Sequence, residues 1–125
     1  MSKEIISTVK APSAIGPYSQ GVKLGNLLFT SGQIPLNPQT GELETEIKEA
    51  TKRSMENIKA ILNEAGTSLE KVIKTTIFLK DINDFADVNE VYGSYFTNNP
   101  PARSCVEVSK LPKDAIIEIE VIAEV

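Results

Sequence analysis

Only two stretches of this chain repeat their apolar residues at helical spacing, whereas strand-like patterns recur at least five times. Across residues 45–65 the apolar series is Ile47, Ala50, Ile58, Ile61, Leu62 and Ala65, with Gly66 as a C-terminal stop. Thr45 is placed to cap this helix, and Glu46 and Glu49 suit the positive end of its dipole. The second helix is capped by Asn83 or Asp84 and turns Phe85, Val88, Tyr92 and Tyr95 or Phe96 inward. Asn98, Asn99 and the Pro100-Pro101 pair end it.

The remaining segments read as strands. Residues 20–24 and 27–31 flank Gly25-Asn26, a two-residue turn in which glycine tolerates the positive φ of a tight hairpin. Residues 71–82 are β-branched and aromatic, and residues 102–108 and 115–125 alternate. Residues 4–9 could add a strand at the start, and 32–43 form a loop punctuated by Pro35, Asn37-Pro38 and Thr40-Gly41. The order ββ–α–β–α–ββ predicts an α+β fold with two helices on one face of a mixed sheet. Two helices cover one face only. The other face carries Ile and Val, and association with further copies of the chain is the economical way to cover it.

At 125 residues and 41% hydrophobic, with no shift in composition, the chain is expected to be a single domain spanning 1–125. Its apolar runs are too short to span a membrane. The opening MSKEIISTVK lacks the apolar stretch of a secretory leader, and one cysteine fits a reducing compartment, so the expectation is a soluble cytoplasmic protein. A net charge of −4 with scattered Lys and Arg disfavours a nucleic-acid partner.

The sequence contains no histidine. Ser-His-Asp and Cys-His nucleophilic machinery is therefore excluded, as are the usual zinc sites, and no metal or cofactor is expected. Neither GxxxxGK[ST] nor GxGxxG occurs. Chemistry must come from Arg, Tyr, Cys, carboxylates, backbone groups and water.

Alternation places Arg103, Cys105 and Glu107 on one face of the strand over residues 102–108. On the last strand Ile117, Ile119, Val121 and Ala123 form an apolar face, opposite Glu118, Glu120 and Ile122. If these two strands are neighbours, Arg103 and Cys105 lie beside Glu118 or Glu120. Arg103 is then either half of a structural ion pair, worth roughly 0.2–1 kcal/mol, or a free fork for a ligand carboxylate or phosphate. Cys105 without a histidine reads as a site-lining residue. Tyr18 reads as a half-buried aromatic with its hydroxyl bonded to backbone, Ser31-Gly32 as either a turn or a backbone seat for an anion, and Asn89 as a solvated or capping amide.

Four segments, APSAIGPYSQG (11–21), FTSGQIPLNPQTGEL (29–43), NDFADVNEVYGSYF (83–96) and PARSCVEVSKLPKDAIIEIEVIA (101–123), resemble the reactive-intermediate imine deaminase (RidA, or YjgF) family. The resemblance runs from about residue 5 to the C-terminus. It implies a chorismate-mutase-like fold assembled as a homotrimer, sheets inward, with clefts between subunits. It also implies hydrolysis of 2-imino acids and their enamine tautomers, such as 2-iminobutanoate and 2-iminopropanoate, to 2-oxo acids and ammonia. These species are released by pyridoxal-phosphate-dependent serine and threonine dehydratases.

Carried over residue by residue, the resemblance has Arg103, without which family members lose this assignment, gripping the substrate carboxylate. The Ser31-Gly32 backbone seats the substrate, and Tyr18 closes over it from a neighbouring subunit. Glu118 and the Cys105 carbonyl hold the attacking water, and Asn89 is a secondary cleft residue. The alternatives are a regulatory protein that binds small carboxylates without turnover, under the family's older labels of translation inhibitor, ribonuclease or purine regulator, and a chaperone-like trimer.

Overall fold

The computed structural model describes residues 2–125. The chain forms β1 (Glu4–Ile6), β2 (Gly21–Leu24), β3 (Leu27–Thr30), α1 (Ile47–Glu64), β4 (Val72–Leu79), α2 (Phe85–Tyr95), β5 (Ala102–Glu107) and β6 (Ile117–Glu124). Short 3₁₀ turns at Leu69–Lys71, Ile82–Asp84 and Pro112–Asp114 precede β4, α2 and β6. The six strands lie in the order β1-β2-β3-β6-β4-β5. Only β4 and β5 run parallel, joined through α2 as a parallel pair requires; the other neighbours are antiparallel. This is the α+β arrangement expected, with both helices on one face of a mixed sheet.

The core lies between that face and the helices. Ala50, Met55, Ile58, Ile61 and Leu62 of α1 and Val88 and Tyr92 of α2 pack on Leu28, Ile77, Leu79, Ile117, Ile119, Val121 and Ala123. The open face leaves Ile5, Leu24, Phe29 and Val106 exposed. Within α2, Phe85 stays at the solvent boundary, Tyr95 donates its hydroxyl to Glu56 Oε2 at 2.7 Å, and Phe96 packs against Tyr92 with ring centroids 4.8 Å apart.

The caps differ in detail from expectation. Glu46, not Thr45, caps α1, its carboxylate accepting from the N–H groups of Lys48 and Glu49 at 2.8 and 3.2 Å. Asp84 stands at the cap position of α2 without a side-chain bond, while Asp81 accepts from Asn83 N–H at the preceding turn. Gly66 ends α1 at φ +82°, and Gly25 turns the β2–β3 hairpin at φ +61°.

The condition that would set Arg103 beside Glu118 or Glu120 is not met. β5 and β6 follow each other in sequence but are not neighbours, because β4 lies between them. β6 buries Ile117, Ile119, Val121 and Ala123, and a central position flanked by β3 and β4 gives that face the most apolar cover. β5 has no fully buried residue and takes the edge, where a half-polar strand is tolerated.

Candidate functional site

Several of the predicted residues line a cleft of about 530 Å³. Pro12, Ile15 and Tyr18 form one wall, from the loop joining β1 to β2. Ser31, Gly32 and Gln33, leaving the end of β3, form its floor together with Glu118 of β6, and Lys113 of the preceding turn also lines it. Lys113 and Asp114 both hold positive φ, at +58° and +56°, a conformation that costs about 1–3 kcal/mol per residue. That backbone turns the chain sharply into β6 beside Glu118.

Glu118 lies on the open face of the sheet, in register with Phe78 of β4 and so beyond it with Val106 of β5. Burial, and secondarily the neighbouring Glu120 carboxylate, push its pKa above the ordinary glutamate range. Gly32 lies so close that a Cβ there would stand 2.6 Å from Glu118 Cδ and overlap the carboxylate. Only a residue without a side chain allows the Glu118 carboxylate and this backbone to share the floor.

Ser31 is held by the chain itself. Its N–H donates to the Gln20 carbonyl at 2.9 Å and its hydroxyl to the Ser19 carbonyl at 2.6 Å. The Gly32 N–H has no backbone acceptor among the described residues, so of the predicted Ser31-Gly32 seat it is the donor left for a ligand.

Arg103 is elsewhere. On β5 it is in register with Thr75, which pairs in turn with Val121, so its side chain rises on the helix-facing side of the sheet. There Arg103 Nη1 donates to Asn89 Oδ1 at 2.7 Å, and the guanidinium lies 4.9 Å from the Tyr92 ring centroid and 5.3 Å from that of Phe85. The two ion pairs among the described residues are Lys48–Glu90 and Lys71–Glu124, and neither involves Arg103. Within the chain, the ion pair with Glu118 or Glu120 is not formed. Asn89, read as a solvated or capping amide, instead aims the guanidinium.

Cys105 shares the Arg103 face, and burial raises its thiol pKa while the Arg103 charge opposes that shift. The thiol is thus kept in its protonated, poorly nucleophilic form. The Val108 N–H donates to the Leu79 carbonyl at 2.8 Å. By the two-residue alternation of a ladder, the carbonyls of Arg103, Cys105 and Glu107 then point away from β4, at the free edge of the sheet. A Cys105 carbonyl available to a ligand or water follows from that placement.

The predicted residues thus fall into two groups: Tyr18, Ser31, Gly32 and Glu118 share the cleft, while Arg103, Asn89 and Cys105 cluster at the β5 edge. Gln20 and Asn57 were not anticipated at all, and for Phe85 and Tyr92 only an inward-facing place was. Gln20 is buried and bonds the loop that carries Tyr18, and Asn57, buried on α1, donates to the Ile34 and Leu36 carbonyls at 3.2 and 2.9 Å. Phe85 and Tyr92 flank the guanidinium. A polar side chain amid the apolar face of α1 was the visible signal for Asn57. Among the described residues no three His, Cys, Asp or Glu side chains gather as a metal site would require.

Fold and site together define a small α+β protein presenting a guanidinium and a carboxylate-floored cleft on opposite faces of one sheet. The chain belongs to the reactive-intermediate imine deaminase family: the family model described as Endoribonuclease L-PSP matches residues 8–125. It is 61% identical over 124 residues to a RutC family protein of Pyrococcus abyssi, covering 98% of each chain. It is 55% identical over 126 residues to the 2-iminobutanoate/2-iminopropanoate deaminase of Escherichia coli K12, again covering 98% of each. The crystal structure of E. coli TdcF with bound serine superposes with a TM-score of 0.95 at 52% identity, covering 98% of both chains.

Proposed function

We propose that this protein hydrolyses small 2-imino acids to 2-oxo acids and ammonia in a cleft built by two copies of the chain. One copy supplies Arg103, aimed by Asn89, and the outward Cys105 carbonyl; its neighbour supplies Tyr18, the Gly32 N–H and Glu118. The observation that carries the reading is the state of Arg103: a guanidinium held by a neutral amide and two rings, with no carboxylate among the described residues paired to it. Such a fork matches two carboxylate oxygens. The deaminase name of the E. coli relative supports the same reaction. The two groups occupy opposite faces of one sheet, and the exposed apolar residues of the open face supply a reason for copies to associate, as a homotrimer.

The chemistry suits a site without histidine. The enamine tautomer takes a proton at carbon and becomes an iminium, already a strong electrophile. Water held between Glu118 and the Cys105 carbonyl adds to the imine carbon, giving up a proton to the Glu118 carboxylate. The Glu118 carboxyl returns that proton to nitrogen, the C–N bond breaks to release ammonia, and the adduct's hydroxyl gives its proton to the Glu118 carboxylate as the 2-oxo acid forms. Orientation supplies most of what is needed, each tenfold in rate corresponding to about 1.4 kcal/mol.

Binding of a small carboxylate without turnover is a second reading, favoured by the serine-bound structure of TdcF. Nuclease action gains no support from a net charge of −4 and a sequence without histidine. The deciding experiment generates 2-aminoacrylate with a serine dehydratase and follows formation of the oxo acid. Added protein accelerates that step if the proposal holds, and Arg103→Ala does not. Saturable binding of 2-oxobutanoate with no acceleration would leave the regulatory reading in place.

A further inference from the structure

We infer that Gln20 is a positioning residue, a buried clasp that fixes the Tyr18 loop over the Glu118 cleft; this rests on the cleft reading just given. Gln20 is 3% exposed, yet every polar atom of its amide is engaged. Its Oε1 accepts from Thr8 N–H at 2.6 Å, and its Nε2 faces the carbonyls of Thr8, Ala11 and Pro12 at 3.0, 3.3 and 2.7 Å. The amide is fixed in this sense, because the reverse orientation would turn its oxygen on three carbonyls. These bonds bind the first half of the β1–β2 loop to the start of β2.

The same point is tied to the cleft floor. The Gln20 carbonyl accepts from Ser31 N–H at 2.9 Å, and Ser31 Oγ donates to the Ser19 carbonyl at 2.6 Å. One residue therefore joins the two: the buried Gln20 side chain holds the base of the loop, and its main-chain carbonyl holds the backbone that leads to Gly32. Beyond the clasp the loop has little holding it: Ile15 is 76% and Tyr18 50% exposed, and Gly16 sits at φ +111°. An apolar tip that lines the cleft and is anchored at its base can meet a ligand in a fixed place. Without the anchor, each binding event must also order the loop.

The role separates from general stabilisation by what it changes. Gln20→Met fills the same volume without donors or acceptors. Amide hydrogen exchange over residues 8–19 then accelerates about tenfold or more while α1 and β6 keep their protection, the signature of local opening. KM for the imine rises about tenfold with kcat changed less than about threefold, the pattern of lost uniform binding. Added to Tyr18→Ala, Gln20→Met costs less than about a further twofold, because its effect passes through Tyr18.

Wild-type exchange across residues 8–19 in Gln20→Met, or full multiplication of the two substitutions' effects, overturns the proposal. Should Gln20→Met fail to fold, Gln20→Glu decides. A protonated carboxyl supplies one donor and an acceptor, so loop protection recovers as pH falls, and absence of recovery overturns the clasp. Exchange, together with titration of 2-oxobutanoate, needs no turnover. A wild-type protein inert toward imines would therefore sink the deaminase reading and leave Gln20 to be judged on those two measurements.

Discussion

Arg103 and Glu118 project from opposite faces of the same sheet. Arg103 aligns with Thr75 and Val121 on the helix-covered side, and Glu118 with Phe78 and Val106 on the open side. The β4 strand separates the two chain segments that carry them. One chain cannot close both groups on one small anion, whereas two copies meeting through a β5 edge and a neighbour's cleft can.

Loss of Asn89 leaves Arg103 charged but unaimed. Asn89→Ala is expected to raise KM for the imine about 3–10-fold, less than the full worth of a hydrogen bond to a charged group because the site is half exposed. Arg103→Lys keeps the charge without the fork and should fall between wild type and Arg103→Ala. Steady-state kinetics of the three variants checks the order.

The Glu118 carboxyl holds its proton to higher pH in the folded chain than in the unfolded one. Its contribution therefore favours the fold at low pH and is withdrawn as pH rises from the ordinary glutamate value through the raised one. Glu118→Gln should match the wild type in thermal stability at low pH and exceed it at neutral pH. As the water-holding carboxylate must be ionised, activity should fall on the acid side at a pH above the ordinary glutamate range. Glu120→Gln removes the secondary cause and should move that limb to lower pH.

Gly32→Ala would drive a methyl into the Glu118 carboxylate. The expected result is loss of about tenfold or more in kcat/KM, with any loss of stability within the roughly 1–3 kcal/mol typical of overpacking. Denaturation and kinetics on one preparation distinguish this from unfolding.

In the proposed mechanism Cys105 acts through its backbone carbonyl and not through its thiol. Cys105→Ser should keep activity within about threefold of wild type, since the carbonyl and fold are unchanged. Complete loss with an undisturbed fold would instead require thiol chemistry.

Much of the architecture was legible in local pattern. The β6 alternation named its buried face residue by residue, and Gly25 and Gly66 marked their turns because positive φ is written into glycine. Strand order was not legible. Adjacency in sequence suggested β5 beside β6, and only competition for burial puts β4 between them. On that adjacency alone Arg103 would have stood next to Glu118; with β4 between them the two residues lie on different faces. Gln20 escaped notice because its partners at Thr8, Ala11 and Pro12 lie in an irregular loop with no periodicity to read. Asn89 was visible as an amide on a helix, but its partner is set by the packing of α2 over the β5 edge.

The account's central claim is that Arg103 and Glu118 act together across a contact between copies, and subunit mixing tests it most directly. Arg103→Ala and Glu118→Gln are each expected to be inactive as separate preparations. Unfolded, mixed in equal amounts and reassembled, they should recover about one quarter of wild-type activity, because about one site in four then draws both wild-type residues from different copies. Mixed assemblies that form, as mass measurement would show, yet remain as inactive as their parents would contradict it.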